Sequence, residues 1–364
     1  MTLFAEGRNS PRLSWWGEMV TVGFSAWAAC GAFLDGWAHS KVVQFETFFT
    51  PWHAVFYSGF VALTVWLGWS VRRFARAGRR GLEAIPAGYR LGVLGLGIFT
   101  LGTVGDMLWH MGLGIEQEGE RLSSPAHLAL FVGGLLAITS PLRAAWADPE
   151  RTPTLRRFLP PLLSATLATM VMVFMIGHLW AFYSADLIGR LQYGTALDQL
   201  ASTAEAKRAF GYLIQARVGG SLLLSTALLL APLLVLVRRW RLPPGSATIM
   251  FATVALGMSA LRELHLAETV FVALLTGATA DWLLATLRPS SSRVGAFRLF
   301  AALVPLILWT LYFAATALRW GLGVSPELWV GGIFFAAATG LGLALVMLPG
   351  GEPTEFQAGQ GDLR

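Results

Sequence analysis

Apolar runs of about 20 residues, the length that an α-helix needs to cross the hydrocarbon of a bilayer, recur from end to end of this chain. Of its 364 residues, 55% are hydrophobic and only 13% are charged, which leaves little material for a separate water-soluble domain. Backbone groups inside a bilayer must form their hydrogen bonds within the protein, and this requirement favours helices. The sequence therefore predicts an all-α, polytopic membrane helical bundle, organised as one domain over residues 1–349.

The apolar pattern predicts about ten transmembrane helices, whose boundaries are soft by several residues. We expect them at residues 18–39, 51–71, 89–113, 125–146, 158–183, 211–237, 246–264, 267–287, 297–318 and 327–348. The part that carries the motifs described below spans residues 18–146. The polar stretch 350–364 is expected to form a disordered cytoplasmic tail.

Charged residues predict the orientation of the bundle. Arginines cluster after the second, fourth, sixth and eighth predicted spans, whereas the loop after the third span is acidic. By the positive-inside rule the basic loops and both termini are cytoplasmic, as in a multi-pass protein of a bacterial-type cytoplasmic (inner) membrane. The same distribution explains the net charge of +6. We therefore expect a lipid bilayer, and no nucleic acid, as the partner of this positive charge.

Two stretches of the chain repeat one pattern of metal-ligand residue types. Each reads Asp-x-x-x-His, then a gap, then a hydroxyl residue followed by Pro-x-His. Asp and His four residues apart share one face of a helix. The candidate metal ligands are Asp35, His39 and His53 in the first copy and Asp106, His110 and His127 in the second. Each copy thus predicts one Asp/His/His site, and the span assignment places both on the extracytoplasmic side.

The ends of the predicted helices suit this chemistry. Thr50 is a good N-cap and Pro51 a good first helical residue, which makes His53 the third residue of its helix. The partial positive charge of a helix N-terminus favours the neutral, ligating form of histidine. Asp35 and Asp106 lie near helix C-termini at membrane depth, where a carboxylate needs a compensating cation. Local Asp–His hydrogen bonds that hold helix ends together are the alternative explanation.

The ligand types narrow the choice of metal but do not identify one metal. Carboxylate and imidazole ligands suit zinc, iron(II), manganese or copper(II), and the only cysteine, Cys30, lies in an apolar run. Thiolate chemistry is therefore not expected, and Cys30 reads as a small apolar residue.

The two motifs resemble the C subunit of the copper membrane monooxygenases, the particulate methane and ammonia monooxygenases, over about residues 35–134. That family carries Asp-x-x-x-His followed by a Thr-Pro-x-His-type helix start, which the first copy matches at residues 50–53. The family's second set has Asn where this chain has Asp106, and the gap before the second Pro-x-His is longer here. Predicted spans five to ten have no identified counterpart in that subunit.

The resemblance implies copper as the cofactor, with zinc or iron as alternatives. It also implies O2-dependent hydroxylation of a small apolar substrate, with partner subunits or further copies of this chain in the assembly. A zinc-dependent intramembrane hydrolase is the second hypothesis, because three protein ligands leave one position open for water. A metal transporter or assembly factor is the third, although Asp281 is almost the only polar residue toward the cytoplasmic half of a span.

Weaker candidates lie at the outer end of the fifth predicted span and around the turn between the seventh and the eighth. They are His178, Asp186, Glu263, His265 and Glu268. We expect Glu263 to pair with its neighbour Arg262, and His265 to pair with Glu268 through a helical i, i+3 contact. As ligands they would form a further metal site, or support the first two, on the same outer face.

Overall fold

The computed structural model describes residues 10–41, 49–113, 124–200 and 202–349. In these ranges the chain forms α-helices joined by turns, and it has no β-strand. The helices are α1 (Trp15–Lys41), α2 (Pro51–Arg76), α3 (Arg90–Leu113), α4 (Pro125–Ile138), α5 (Ser140–Trp146), α6 (Leu155–Met175), α7 (Arg190–Leu200), α8 (Ala204–Arg239), α9 (Ser246–Ala260), α10 (Ala267–Leu287), α11 (Val294–Trp320) and α12 (Pro326–Met347). Short 3-10 helices occupy Gly81–Ala84, Gly177–Leu179 and Ala181–Ser184. The predicted acidic loop after the third span and the predicted tail at 350–364 lie outside the described residues.

The prediction of an all-α polytopic membrane bundle is confirmed, but the predicted number of spans is too high. Eight of the described helices are long and apolar enough to cross a membrane, and α4 with α5, bent by 40°, makes a ninth if the pair is one span. The predicted span at 246–264 contains α9, which has only 15 residues. Such a helix is about 22 Å long, shorter than the roughly 30 Å of bilayer hydrocarbon.

The two repeats are two helix hairpins, and glycines let the helices within each hairpin touch backbone to backbone. A Cβ atom at Gly59 of α2 would lie 2.6 Å from the backbone nitrogen of Ala28 in α1. In the second hairpin, a Cβ atom at Gly95 of α3 would lie 2.6 Å from the carbonyl oxygen of Gly133 in α4. Small residues at such crossings are typical of membrane helix pairs. The close crossings fix where each hairpin presents its motif.

Replacing Gly59 with alanine is expected to destabilise the first hairpin, because the new methyl group meets backbone that cannot rotate away. Overpacking of this kind costs about 1–3 kcal/mol. We expect a lower thermal midpoint of the detergent-solubilised protein. Gly68→Ala on the same helix is the matched control, since nothing lies within 4 Å of a Cβ atom there. Equal midpoints for the two variants would contradict the close crossing.

Helix α6 joins the two hairpins to the rest of the bundle. It packs against α1 and α4 on one side and against α8 and α9 on the other. At its contact with α1, the rings of Phe33 and Phe174 stack with centroids 4.6 Å apart. The main hydrophobic core then continues through α8 to α12. The hairpins thus form a distinct layer that rests on a larger helical scaffold.

Asp281 has a structural role in this scaffold. Its carboxylate accepts hydrogen bonds from the backbone nitrogens of Ala247 and Thr248, both at 3.0 Å, and from the Thr248 hydroxyl at 2.7 Å. These nitrogens belong to the first turn of α9, where backbone donors have no partner within the helix. Asp281 therefore caps α9 from the neighbouring helix α10.

Candidate metal centre

Local chain chemistry places the histidines at the starts of α2 and α4. Thr50 has extended backbone and its Oγ1 accepts a hydrogen bond from the His53 nitrogen at 3.2 Å, with Pro51 next to it. The predicted cap is therefore confirmed, and it fixes His53 as the third helical residue. Ser124 has the same extended backbone before Pro125, but its side chain makes no capping hydrogen bond to the described residues.

In the first hairpin, the three predicted ligands meet. Asp35 Oδ2 lies 3.5 Å from Nε2 of His39, one turn later on α1. Asp35 Oδ1 lies 3.5 Å from Nε2 of His53 on α2. The ligand atoms of Asp35, His39 and His53 all lie within 4.8 Å of one another, close enough to hold one metal ion.

In the second hairpin both histidines contact Asp106, but the ligand atoms of Asp106, His110 and His127 do not form a group within 4.8 Å. The Oδ1 atom of Asp106 lies 3.4 Å from Nε2 of His110 on the same helix, α3. It also lies 3.4 Å from Nε2 of His127 at the start of α4. One carboxylate oxygen therefore faces the imidazoles of both helices of the hairpin.

The two sets adjoin one another in a single cluster. The ring of His110 lies 6.0 Å from that of His53 and 6.4 Å from that of His39, measured between centroids. The ligand atoms of His53, Asp106 and His110 form a second group within 4.8 Å, so His53 belongs to both groups. The sequence indicates two sites, one per repeat. The structure adds that the repeats face each other and that His53 lies between them.

The two carboxylates of the cluster are largely buried, and one oxygen of each lacks a hydrogen-bond donor of good geometry in the described part of the chain. The side chain of Asp106 is 2% exposed and that of Asp35 is 15% exposed. The Oδ1 atom of each is buried and accepts no hydrogen bond of good geometry from the described residues. A buried carboxylate oxygen without such a donor is costly, and a bound cation would compensate it. Two such oxygens, each facing imidazole nitrogens, fit a metal centre better than a set of structural hydrogen bonds.

Tyr57 is a member of the cluster that sequence reasoning missed. It lies one helical turn after His53 on α2, and its hydroxyl donates a hydrogen bond to Asp106 Oδ2 at 3.0 Å. The contact joins the first hairpin to the carboxylate of the second. Its i, i+4 spacing from His53 places Tyr57 on the same face of α2 as a candidate ligand. A single tyrosine in an apolar helix does not by itself indicate a site residue.

An apolar cavity of about 140 Å³ lies directly against the cluster. It is bounded at one end by Asp35, His39, His53, Asp106 and His127 and elsewhere by small residues of α1 and by aromatic rings. The rings belong to Phe56, Tyr57, Phe60, Phe99, Phe131 and Phe174. A ligand in this cavity would therefore contact both the cluster and a wall of aromatic carbon.

Four of the five weaker candidates, all but Glu268, line a different, polar cavity of about 910 Å³ near the C-terminal end of α1. His178 and Asp186 line it, and Asp186 lies 3.5 Å from Arg262 and 4.0 Å from His265. Among the described residues, none of the five weaker candidates belongs to a group of three ligand atoms. The structure therefore brings five of the six principal candidates into two groups of ligand atoms, and His127 joins them only through its contact with Asp106.

The predicted pairings in the turn before α10 were wrong. Glu263 contacts Lys41 at 3.2 Å and accepts a hydrogen bond from Trp37, and Lys41 lowers the pKa of the Glu263 carboxyl. Glu268 binds Arg319 and accepts a hydrogen bond from the Trp320 indole.

Backbone conformation explains the error. Glu263 and Leu264 have φ values of 54° and 60°, so the helix is interrupted there and helical i, i+3 spacing does not hold.

Comparison of the chain with protein-family models, curated proteins and solved structures found no match. The resemblance to the copper monooxygenase C subunit thus stays a prediction from the motifs.

Proposed function

We propose that this chain is a membrane copper protein in which two facing hairpins hold a pair of metal ions beside a pocket for a small apolar substrate. The observation that carries the proposal is that two groups of ligand atoms, Asp35/His39/His53 and His53/Asp106/His110, share His53 and lie beside an aromatic cavity. Helix-end hydrogen bonding alone would explain each Asp–His pair, but it gives no reason for the two pairs to face each other across shared His53.

Copper is the metal that the donors and the motifs favour together. Four imidazoles and two carboxylates, with the sole cysteine exposed on α1 away from the cluster, suit copper(II), zinc and iron(II). The resemblance to the C subunit selects copper among them. Bound copper would supply redox chemistry with O2, while the chain orients the ligands and keeps the pocket apolar.

The size and lining of the cavity support a small apolar substrate. An apolar cavity of about 150 Å³ accommodates a molecule the size of benzene. The cavity beside the cluster, at about 140 Å³, is of that size. We infer O2-dependent hydroxylation of a hydrocarbon-like substrate, by this chain alone or as one subunit of a complex.

The basic residues support an orientation with the cluster on the extracytoplasmic side. Arg12, Arg157 and Arg239 lie at the opposite end of the bundle from the cluster, around the turn that carries Asp148. Positive charge at that end favours its retention in the cytoplasm. Substrate would then enter the cavity from the bilayer or from the outer aqueous phase.

Metal analysis of the purified protein tests the proposal. About two copper ions per chain, with electron paramagnetic resonance showing copper(II) bound by nitrogen, would support it. Stoichiometric zinc in place of copper would favour the intramembrane hydrolase. Metal movement across vesicle membranes would favour the transporter. Absence of stoichiometric metal after growth and purification with copper, zinc and iron supplied would overturn the metal centre itself.

Filling the cavity is expected to abolish substrate binding without removing metal. Gly134 lines the cavity, and its Cβ position has ordinary contacts at 3.8 Å to Phe99, so a leucine there projects into the free space. We expect Gly134→Leu to lose the spectral change that small hydrocarbons cause in the copper(II) signal. Gly97→Leu, at a position with nothing within 4 Å, is the matched control. An unchanged response in Gly134→Leu would place the substrate elsewhere.

A further inference from the structure

One face of α1 carries polar groups from the basic end of the bundle toward the metal cluster. Glu18, Thr21 and Ser25 follow one another at helical spacing, and the same face continues through small residues to Asp35. Thr21 and Ser25 are 0% and 1% exposed, so these hydroxyl groups lie inside the protein and not against lipid. Ionisable side chains at membrane depth often mark a pathway or a relay, whereas buried serine and threonine also serve in helix packing. Glu18 is therefore the informative member of this row.

The first part of this line is a connected hydrogen-bond network. The Tyr89 hydroxyl lies 2.5 Å from Glu18 Oε2 and 3.2 Å from Thr21 Oγ1. Trp66 donates its indole hydrogen to Thr21 Oγ1 at 2.9 Å and holds that side chain in place. A carboxyl, a phenol and an alcohol are thus in continuous contact between α1, α2 and the start of α3.

Ser25 connects the network to the cavity beside the metal cluster. It lies one turn beyond Thr21, about 6 Å along the helix, a gap that one water molecule bridges. Its hydroxyl is buried and has no hydrogen-bond partner among the described residues. It lines the same cavity that Asp35, His53 and Asp106 line at the other end. The relay therefore requires water in this cavity between Ser25 and Asp35 whenever no apolar substrate fills it.

Further cavities adjoin both ends of this row of residues, which runs from Glu18 to Asp35. Glu18 lines a cavity of about 330 Å³ at the basic end of the bundle, where Arg12, Asp148, Glu150 and Arg157 surround it. At the far end, Gly36 lines both the cavity beside the cluster and the large polar cavity. The groups between Glu18 and Asp35 span 17 residues of helix, about 25 Å, which is most of the bilayer hydrocarbon.

We infer that this face of α1 is a proton pathway, with Glu18 as its gate, that links the basic side of the membrane to the metal cluster. A proton enters onto the Glu18 carboxylate from the basic-end cavity and passes to the Tyr89 hydroxyl. The Thr21 hydroxyl, which donates to the Gly17 carbonyl oxygen at 3.1 Å, must turn away from it to carry the proton to water beside Ser25. Glu18 is then protonated again from the same cavity, so each cycle moves one proton and changes no covalent bond permanently.

The pathway suits protons and not metal ions. Outside the cluster it offers one carboxylate and three hydroxyl groups, with no imidazole or thiolate, and this donor set holds a transition metal poorly. That these protons are exchanged with a redox-active metal cluster rests on the proposed function. The pathway itself rests on the network and the cavities.

Proton flux into vesicles tests the inference without any metal. The full-length, metal-free protein is reconstituted in liposomes that contain a pH-sensitive dye, and a potassium gradient with valinomycin imposes a membrane potential. We expect the wild type to carry protons faster than protein-free liposomes, and Glu18→Gln to reduce that protein-dependent flux by about tenfold or more. Ser25→Ala should reduce the flux several-fold. Glu83→Gln, at an exposed position of the Gly81–Ala84 turn, is the matched control and should match the wild type.

The outcomes separate this inference from the proposed function. Equal fluxes in wild type and Glu18→Gln, with both proteins folded by thermal melting, would overturn the pathway whatever the metal content. A Glu18-dependent flux in a protein that binds no metal would support the pathway and overturn the metal centre. If added copper slows the proton flux of the wild type but leaves the residual flux of Glu18→Gln unchanged, the cluster lies at the end of the pathway.

Discussion

Replacing His53 with alanine is expected to remove metal from both halves of the cluster. His53 is a member of both groups of ligand atoms within 4.8 Å, one with Asp35 and His39 and one with Asp106 and His110. Changes to groups that only support a ligand cost about 10- to 100-fold in metal affinity, so loss of a shared ligand should cost at least as much at each site. Competition titration with a chelator measures the two affinities.

Two other histidines provide the comparison. His127→Ala should weaken only one ion, because His127 contacts Asp106 and is the more exposed ligand, with 23% of its side chain accessible. His178→Ala should weaken neither, since His178 lines the separate polar cavity. If His53→Ala and His127→Ala each removed one ion, His53 would not be shared and the two sites would be independent.

Changing Asp106 to asparagine is expected to weaken the second site strongly while leaving the fold intact. Asparagine keeps the size of the side chain and an oxygen that can accept the Tyr57 hydrogen bond, but it removes the negative charge that faces two imidazoles. We expect at least about a 10-fold loss of affinity for one ion, and an unchanged copper(II) signal from the site of Asp35. Titration of copper into the metal-free variant, followed by electron paramagnetic resonance, measures both.

Tyr57→Phe is the companion variant, because it removes the hydrogen bond to Asp106 and keeps the charge. Its effect on affinity should be smaller than that of Asp106→Asn. The reverse order would mean that orientation of the carboxylate matters more than its charge. Full affinity in Asp106→Asn would show that the negative charge is not needed, in keeping with the asparagine at this position in the family that the motifs resemble.

Short-range patterns predicted the parts of the site that lie within a few residues of one another. Asp35 and His39 share a helical turn, and Thr50 and Pro51 define the start of α2 without reference to the rest of the fold. An apolar run is also a short-range pattern, and each of the ten predicted spans overlaps an α-helix. Fewer than ten of the described helices are long and apolar enough to cross a membrane. Apolarity alone predicts neither the short length of α9 nor the 40° bend between α4 and α5.

The remaining features depend on contacts between distant parts of the chain. Tyr89 and Glu18 are 71 residues apart, and no local pattern connects them. The facing of the two hairpins depends on contacts between them, such as the hydrogen bond from Tyr57 to Asp106, 49 residues away. At Glu263, a left-handed backbone broke the helical spacing on which the predicted pairings relied.

The short α9 has a consequence for the surface of the membrane. Capped at its start by Asp281 near the basic end, it stops at Ala260, and the turn that follows lines the large polar cavity through Leu261, Arg262 and Glu263. A span of about 22 Å ends several ångströms below the level that full-length neighbours reach. Where such a short helix meets the bilayer, the lipid thins or water fills the gap, at a cost of fractions of a kcal/mol per Å. We therefore expect water to reach the large polar cavity below the level of the lipid headgroups, and Gly36, which lines both cavities, would bring that water close to the cluster.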